Sequence, residues 1–383
     1  MLLASVTGGI GRSWSAPLPV ELDGPDTLVL AFCAPGDESV MPLAALDAAF
    51  PRSVVVGCST AGEIAGDQVS DGTLSVAIAR FEHTHLRHAE ATVRDAETSR
   101  TAGQILAEKL APDCAGEPLR AVFLLADGLS VNGTLLTSGL AAALPDGVVI
   151  TGGLAADGSR FRRTWLAQAG RQQPNIVSAV GFYGDRIRVG HGCSAGWSDF
   201  GPERRITRAE GNVLYELDGQ PALALYKTYL GDLASGLPGT ALLFPLALRR
   251  DGSQANHLIR TVVGVDDDAQ SMTFAGDIPL GASARLMRAN TDRLIDSAGT
   301  AAGEAMASMP GGSPMLVISV SCVGRRLVLG ERTDEEVETV LGHAPEHSVH
   351  VGFYSYGEIA PSGGCRFSDL HNQTMTVTAL AEA

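Results

Sequence analysis

The sequence predicts a mixed α/β protein, with β-sheets packed together and helices on the outside. Short apolar runs such as 27–34 and 121–126 are typical of buried strands, and stretches such as 101–110 have the apolar periodicity of a helix. Strands buried on both faces need cover from other elements. We therefore expect two related α/β halves whose sheets pack together, with a single continuous sheet as the alternative.

Strands and helices alternate in the first part of the chain. Apolar runs predict strands at 27–34, 53–58, 74–81, 121–126 and 148–151. Helical periodicity predicts helices at 41–50, 101–110 and 135–144. Consecutive strands typical of a mixed or antiparallel sheet then follow at 176–183, 186–190, 206–209 and 213–217.

A second α/β region begins near residue 219. Pro221 suits the first turn of a helix that reaches about residue 229, and Asn290 suits the N-cap of a long helix over 291–309. First-turn carboxylates favour a helix at 334–341. Further strands are predicted at 241–248, 258–265, 284–287, 315–320, 349–354 and 375–380. We expect an N-terminal arm (1–22), a first domain (23–218) and a second domain (219–383).

Composition excludes several classes of protein. The 383 residues are 45% hydrophobic and 19% charged, which excludes extensive disorder. The net charge of −15 disfavours nucleic acid as a partner, since it repels phosphates. No apolar run approaches the roughly 18–20 residues of a membrane helix, and the six cysteines form no CxxC pair, which suits reduced thiols. These features predict a cytoplasmic protein without a membrane partner.

One nine-residue pattern occurs twice. Segments 57–65 and 352–360 share G-x-x-x-x-G-E-I-A, and each follows an apolar strand. Duplication of a structural unit is one explanation, and chance recurrence is the other. Glu63 and Glu358, which follow the second glycine, form a carboxylate pair only if the fold brings them together. Otherwise they accept hydrogen bonds from backbone N–H groups of a turn.

Short catalytic and metal motifs are weak. Segment 192–196 matches G-x-S-x-G with Ser194 as the nucleophile of a serine hydrolase, but no predicted helix follows it, as the nucleophile elbow requires. His83 and His85 lie on one face of a strand, but two histidines are too few ligands for a zinc ion. We therefore expect no enzyme activity and no metal site.

Longer segments resemble a known family. Three segments are similar to the N-terminal half of FIST domain proteins: 54–64 (VVVGCSTAGEI), 126–133 (ADGLSVNG) and 151–158 (TGGLAADG). Segment 211–222 resembles the join between the halves. Three more are similar to the C-terminal half: 321–326 (SCVGRR), 352–361 (GFYSYGEIAP) and 371–378 (HNQTMTVT).

This resemblance implies a bacterial sensory module for signal transduction. Such modules are proposed to bind small ligands such as amino acids, and many are linked to a histidine kinase, a diguanylate cyclase or a chemotaxis protein. Catalysis is not implied. Some members resemble haem-binding nitric oxide sensors. We expect a non-catalytic sensor that signals to a separate partner and has no cofactor, with a haem-based sensor as the alternative.

Two sets of residues are candidates for ligand binding. The first is the glycine-rich turn after a buried strand, where backbone N–H groups can hold an anionic group: Gly57, Cys58, Ser59, Thr60 and Glu63. The second offers a guanidinium for a carboxylate and a carboxylate for an amine: Cys322, Arg325, Tyr356, Glu358, His371 and Asn372.

Other interpretations of these residues remain open. In one, the second set holds a zwitterion. In the other, Arg325 pairs with Glu358 inside the protein, while His371 and Asn372 hold a turn. For haem, His191 or His371 would have to face an apolar slot.

Overall fold

The fold is described from a computed structural model, which covers residues 1–9, 14–249, 258–361 and 368–383. Cys365 lies outside these ranges. The expected mixed α/β class is confirmed, and the described strands form four separate sheets. Within the described ranges, no helix combines the length and apolar character needed to cross a membrane.

Three of the sheets come from three repeats of one strand pattern. The strands of the first repeat are β1 (Leu2–Gly9), β2 (Thr27–Cys33), β3 (Val54–Ser59), β4 (Glu63–Ala65), β5 (Gln68–Ser70) and β6 (Thr73–Arg80). Those of the second are β7 (His85–Thr92), β8 (Leu119–Ala126), β9 (Val149–Leu154), β10 (Leu166–Gln168), β11 (Arg171–Gln173) and β12 (Ile176–Tyr183).

The third repeat is interrupted after its first strand by a fourth sheet. That first strand is β13 (Ile187–Ser194). The inserted sheet contains β14 (Ser198–Glu210), β15 (Val213–Leu217), β16 (Gln220–Pro221), β17 (Leu246–Arg249), β18 (Leu258–Arg260), β19 (Val262–Asp266), β20 (Ser271–Phe274) and β21 (Ser283–Arg288). The third repeat then resumes with β22 (Leu316–Cys322), β23 (Val349–Ser355), β24 (Gly357–Pro361), β25 (Ser368–His371) and β26 (Met375–Glu382).

Helices lie between these strands. The α-helices are α1 (Val40–Ala49), α2 (Ser99–Leu110), α3 (Gly133–Ala143), α4 (Ala222–Leu230), α5 (Thr291–Ala307), α6 (Val323–Leu329) and α7 (Thr333–Leu341). Short 3-10 segments lie at Val20–Leu22, Asp37–Ser39, Gly231–Gly236, Gly239–Leu243 and Gly330–Arg332. Asn290 caps α5, as predicted, by accepting a hydrogen bond from the N–H of Arg293.

In each repeat, one β-hairpin pairs with the sheet of another repeat. The parallel pairs β2–β3, β8–β9 and β22–β23 lie at the centres of the three sheets. The β4–β5 hairpin pairs with β23, the β10–β11 hairpin with β3, and the β24–β25 hairpin with β9. This cyclic exchange ties the three repeats together, so the related units are these three repeats and not the two halves that we expected.

A glycine in each repeat allows the central parallel strands to pair closely. Gly57 lies opposite Ala31, and Gly352 lies opposite Ser319. A Cβ atom would lie 2.0 Å from the carbonyl oxygen of Ala31 or of Ser319, and one on Gly152 would lie 1.8 Å from that of Leu124. The duplicated pattern therefore marks equivalent positions in the first and third repeats, whereas the second repeat keeps this glycine but not the Glu.

The main core lies between the three related sheets. Phe32 of the first repeat packs on Phe353 of the third, with ring centroids 4.7 Å apart, and Phe123 of the second repeat is buried in the same core. Helices α2 and α3 cover the second sheet, and α5 covers the third, so the helices lie outside as expected. The inserted sheet has its own core with α4, and residue 218 falls between its strands β15 and β16.

Candidate functional site

A cavity of about 380 Å³ lies where the inserted sheet meets the second and third repeats. The second repeat lines it with Ala96, Gly128, Leu129, Ser130, Val131, Asn132, Leu154 and Phe161. The inserted segment contributes Asn212, Leu242, Thr261, Val263, Phe274, Ala275 and Gly276. The third repeat contributes Cys322, Val323 and Tyr356. Three separate parts of the fold therefore share this site.

The loop after β8 is fixed by the carboxylate of Asp127. Its Oδ1 atom accepts hydrogen bonds from the N–H groups of Leu129 and Ser130, at 2.9 and 3.2 Å, and its Oδ2 atom accepts one from the N–H of Asn175 at 2.8 Å. The loop then leads into α3, where Asn132 Oδ1 accepts from the N–H of Leu135. These bonds hold one wall of the cavity in place.

Two stacked aromatic rings form a second part of the wall. The rings of Phe161 and Tyr356 have centroids 4.6 Å apart and planes 6° from parallel. The Tyr356 hydroxyl donates to Asp157 Oδ1 and to the carbonyl of Gly158. Asp157 in turn accepts from the N–H groups of Phe161 and Arg162. The pair is thus held rigidly by the loop that follows β9.

The inserted segment closes the cavity from the opposite side. Asn132 Nδ2 donates to Asp277 Oδ1 across the boundary at 3.2 Å. Asn212 Nδ2 donates to the carbonyl of Phe274 at 2.8 Å, which fixes the end of β20. The cavity is therefore bounded by groups whose positions are set by hydrogen bonds on both sides.

Two hydroxyls in the cavity wall have no hydrogen-bond partner among the described residues. They are Thr261 Oγ1 and Ser130 Oγ, and Thr261 as a whole is only 4% exposed. Since the great majority of buried polar groups in native proteins are hydrogen-bonded, these two hydroxyls are candidate contacts for a bound ligand. Both amide atoms of the buried Asn372 are also unpaired.

None of the described residues that line the cavity carries a charge at neutral pH. Cys322 and Tyr356 are the ionisable ones. Burial raises the pKa of the Cys322 thiol, and burial together with the hydrogen bond to Asp157 raises the pKa of the Tyr356 hydroxyl. Both groups stay neutral, so the described lining is largely apolar, with a few uncharged polar groups.

The second predicted set of ligand residues is only partly assembled around this cavity. Cys322 and Tyr356 line it. Asn372 lies behind the wall, with its Nδ2 atom 3.5 Å from where a Cβ of Gly357 would lie. Arg325, Glu358 and His371 do not line it.

Arg325 has all its donors engaged inside the protein. Its partner is Glu336, whose Oε2 accepts from Nε at 2.8 Å and also from Nη2, and not Glu358. Nη1 donates to the carbonyl of Ala195 and to Ser297 Oγ, and Nη2 donates to the carbonyl of Leu294. The side chain is fully buried, and its five N–H donors make five hydrogen bonds to four acceptor atoms, because Glu336 Oε2 accepts two of them.

The first predicted set lies at the junction of the first repeat with the second. Ser59 Oγ accepts from the N–H of Trp165, and Thr60 Oγ1 donates to the carbonyl of Cys33. Gly57 and Cys58 lie within β3. These contacts place Gly57, Cys58, Ser59 and Thr60 away from the cavity described above.

Glu63 and Glu358 each accept hydrogen bonds from a threonine at or just before the strand that returns after their hairpin. Glu358 Oε2 accepts from the N–H and hydroxyl of Thr374 at 3.1 and 2.8 Å, and Glu63 Oε2 accepts from the same groups of Thr73 at 2.9 and 2.8 Å. Both carboxylates thus accept backbone N–H bonds, as the structural alternative expected, but the donors are Thr73 and Thr374 rather than residues of the turn itself. Glu63 and Thr73 also line a second cavity of about 410 Å³ beside β1.

The two histidines considered for haem do not fit a haem site at the cavity. Neither His191 nor His371 lines it. The Nε2 atom of His371 lies 3.1 Å from the carbonyl oxygen of Ala360. Because a carbonyl oxygen can only accept, this nitrogen is the donor of the hydrogen bond and is already engaged. Among the described residues, no group of three or more His, Cys, Asp and Glu side chains is arranged to hold a metal ion.

The G-x-S-x-G segment lacks the strand–turn–helix geometry of a nucleophile elbow. Ser194 is the last residue of β13, where it pairs with Met375. The chain then turns at Gly196 and continues into the strand β14. Ser194 does not line the cavity.

Several cavity residues have no individual signal in the sequence. Phe161, Thr261 and Ser130 were not expected as ligand residues. Ser130 lies within the family-like segment 126–133, and Asp157, which holds the Phe161 loop, lies within 151–158. Thr261 lies in the inserted sheet, and only the tertiary structure brings it to the cavity.

Comparisons with known proteins agree with the resemblance seen in the sequence. An uncharacterised protein of Mycobacterium tuberculosis is 26% identical over 364 residues, covering 90% of this chain and 88% of that protein. An uncharacterised protein of Methanocaldococcus jannaschii is 23% identical over 370 residues, covering 87% and 69%.

A solved structure and two family models also match. A cyanuric acid hydrolase from A. caulinodans aligns over 100% of this chain and 99% of its own, with a TM-score of 0.36 and 8% identity, which carries no inference about activity. The FIST N domain matches residues 27–220 and the FIST C domain matches 222–361. Because these two matches cover most of the sequence, the chain belongs to the FIST family.

Proposed function

We propose that this chain is a non-catalytic sensor that binds a small ligand in the cavity between the inserted sheet and the second and third repeats. FIST domains are sensory domains of signal-transduction proteins that bind small ligands. The observation that carries the proposal is the buried Thr261 hydroxyl, which has no partner among the described residues and lies in the wall of a cavity of about 380 Å³. Ligand sites are typically concave, largely apolar and furnished with a few polar groups.

The position of the cavity suits signalling. Its walls belong to the inserted sheet on one side and to the repeats on the other, and the chain passes between them at 195–197 and 289–290. A ligand that contacts both sides favours the arrangement in which both contacts are made. Ligand binding would therefore bias the position of the inserted sheet, and this change is the signal we propose.

The signal would pass to a separate partner protein. A histidine kinase, a diguanylate cyclase or a chemotaxis protein is the class of partner that membership of this family supports. The acidic net charge of −15 would favour a basic docking surface on that partner.

A thermal-shift screen of small molecules against the full chain tests the proposal. Compounds that stabilise the wild type should lose this effect in Ala275→Trp, because the indole would fill the cavity that Ala275 lines. Ala269→Trp, on an exposed turn of the same sheet, is the matched control and should keep the effect.

Two results would contradict the sensor proposal. In one, every stabilising compound would act equally on the wild type and on Ala275→Trp, which would place its site elsewhere. In the other, mass spectrometry would show that a cavity-bound compound is converted to a product during incubation.

A further inference from the structure

We propose that the ligand of this cavity is an uncharged, planar ring compound that carries hydrogen-bonding groups. This inference rests on the proposed function, because it names the class of ligand for the same cavity. It follows from three properties of the wall: its lack of charge, its stacked aromatic pair and its two unpaired hydroxyls.

The uncharged wall disfavours an ionic ligand. A charged group loses hydration on entering such a cavity and recovers it only if a counter-charge is present. Asp157 and Asp277 lie behind the wall and are engaged by Tyr356 and Asn132. The guanidinium of Arg260, which lies behind Gly276, is 1% exposed and donates to the carbonyls of Asp277 and Leu370. Within the described ranges, no lining side chain is left to balance a carboxylate or an ammonium.

The aromatic pair favours a flat ligand. Tyr356 covers one face of the Phe161 ring, while Phe161, which lines the cavity, remains 43% exposed. Phe161 also has a positive φ of 49°, a conformation that bulky residues rarely adopt, and Asp157 holds it there through the N–H of Phe161. A ring held rigidly with one free face is a surface on which a second ring can stack.

The hydroxyls specify hydrogen-bonding groups on the ligand. Thr261 Oγ1 lies on the inserted side and Ser130 Oγ on the side of the second repeat. A hydroxyl can both donate and accept a hydrogen bond. An amide on the ring also has a donor and an acceptor, so it can bond to the hydroxyl of Thr261 or to that of Ser130. Such a ligand would link the two sides of the cavity.

Matched pairs of ring compounds test this class. Nicotinamide and benzamide have the same shape as nicotinate and benzoate but carry no charge. Calorimetric titration of the full chain should give dissociation constants at least about tenfold lower for the amides, since an unpaired buried charge costs more than about 1.4 kcal/mol.

Two variants test the named contacts. Phe161→Ala should weaken amide binding by about tenfold or more through lost stacking, and Thr261→Val should weaken it to a similar extent through a lost hydrogen bond. Thr261→Val should keep the unfolding midpoint of the wild type, because its hydroxyl has no partner to lose in the described part of the chain. The controls Leu280→Ala and Thr300→Val, at exposed positions, should bind as the wild type does.

The outcomes separate this inference from the sensor proposal. If the carboxylates, or amino acids such as phenylalanine, bind more tightly than the amides and Ala275→Trp abolishes that binding, the ligand class is wrong and the sensor proposal stands. If no compound of either class, and none from the wider screen, binds in a way that Ala275→Trp abolishes, both proposals fail. If amide binding is equal in the wild type, Phe161→Ala and Thr261→Val, the contacts assigned here are wrong.

Discussion

Glu63 and Glu358 occupy equivalent positions in the first and third repeats. Each lies in the first strand of an exchanged hairpin, and each accepts a hydrogen bond from a hydroxyl three residues earlier, that of Thr60 or Ser355. Each also accepts from a threonine just before or at the start of the returning strand, Thr73 or Thr374. The two carboxylates therefore hold together the exchanged hairpins in the same way.

Burial makes these two carboxylates a source of pH-dependent stability. It raises the pKa of Glu63 from 4.5 to about 7 and that of Glu358 from 4.5 to about 8, against the opposing effect of their hydrogen bonds. From roughly pH 5 to 8, the folded protein therefore retains protons that the unfolded chain has released. Stability from this source is greatest at low pH and is lost as the pH rises through the folded-state values.

We expect Glu358→Gln to flatten the dependence of stability on pH. The amide resembles the protonated carboxyl and does not titrate. In the wild type, one titrating group lowers the free energy of unfolding by up to about 1.4 kcal/mol for each pH unit, and the variant should not show this decrease. Urea unfolding at several pH values between 5 and 8 measures this slope. Glu108→Gln, on the exposed side of α2, should show the slope of the wild type, and parallel curves for Glu358→Gln would contradict the assignment.

The buried pair of Arg325 and Glu336 should be essential for stability. Both side chains are fully buried, so Glu336→Gln leaves a buried cation without its counter-charge and should cost about 3–5 kcal/mol in free energy of unfolding. The exposed pair of Asp37 and Arg163 provides a control, since Asp37→Asn should cost no more than about 1 kcal/mol.

A double variant distinguishes lost charge balance from lost packing. Adding Arg325→Met to Glu336→Gln should recover part of the loss, because no buried charge is then left unpaired. Additive losses in denaturant unfolding would show that the pair contributes only packing.

The close approach of the central strands predicts a strong effect of Gly352→Ala. The new Cβ would lie 2.0 Å from the backbone oxygen of Ser319, so the paired strands must move apart. We expect a loss of about 1–3 kcal/mol or more in the free energy of unfolding. Gly311→Ala is the control, because nothing lies within 4 Å of its Cβ position. Equal unfolding midpoints for the two variants would contradict this account.

We expect that haemin has no specific site of one molecule per chain in this protein. Neither His191 nor His371 lines the cavity, and the raised pKa values of the lining Cys322 and Tyr356 disfavour the deprotonated forms in which these side chains bind haem iron. Absorption titration of the full chain should therefore give no Soret band that saturates at one haemin per chain. A saturating band that His371→Ala or His191→Ala removes, and that the exposed His347→Ala retains, would instead establish the haem-based sensor.

Local sequence patterns determined much of the fold. Apolar runs and helical periodicity predicted most strands and helices, because burial on one or both faces dictates those patterns. The N-cap at Asn290 was predicted because asparagine favours that position. The segments at Gly57 and Gly352 were identified as a pair because their sequence pattern recurs. The predicted strand over 241–248 was partly wrong, since Gly239–Leu243 is a 3-10 segment and the strand begins at Leu246.

The tertiary structure alone decided how the repeats combine and where the cavity lies. The hairpin exchange pairs residues far apart in the chain, such as Glu63 with Phe353, and no local periodicity encodes such pairing. It also decided that Arg325 pairs with Glu336 rather than with Glu358. Thr261, Phe161 and Tyr356 meet at one cavity because an inserted sheet folds back onto two repeats. The sequence by itself therefore determined the family and the elements, since these depend on neighbouring residues, whereas long-range packing determined the site.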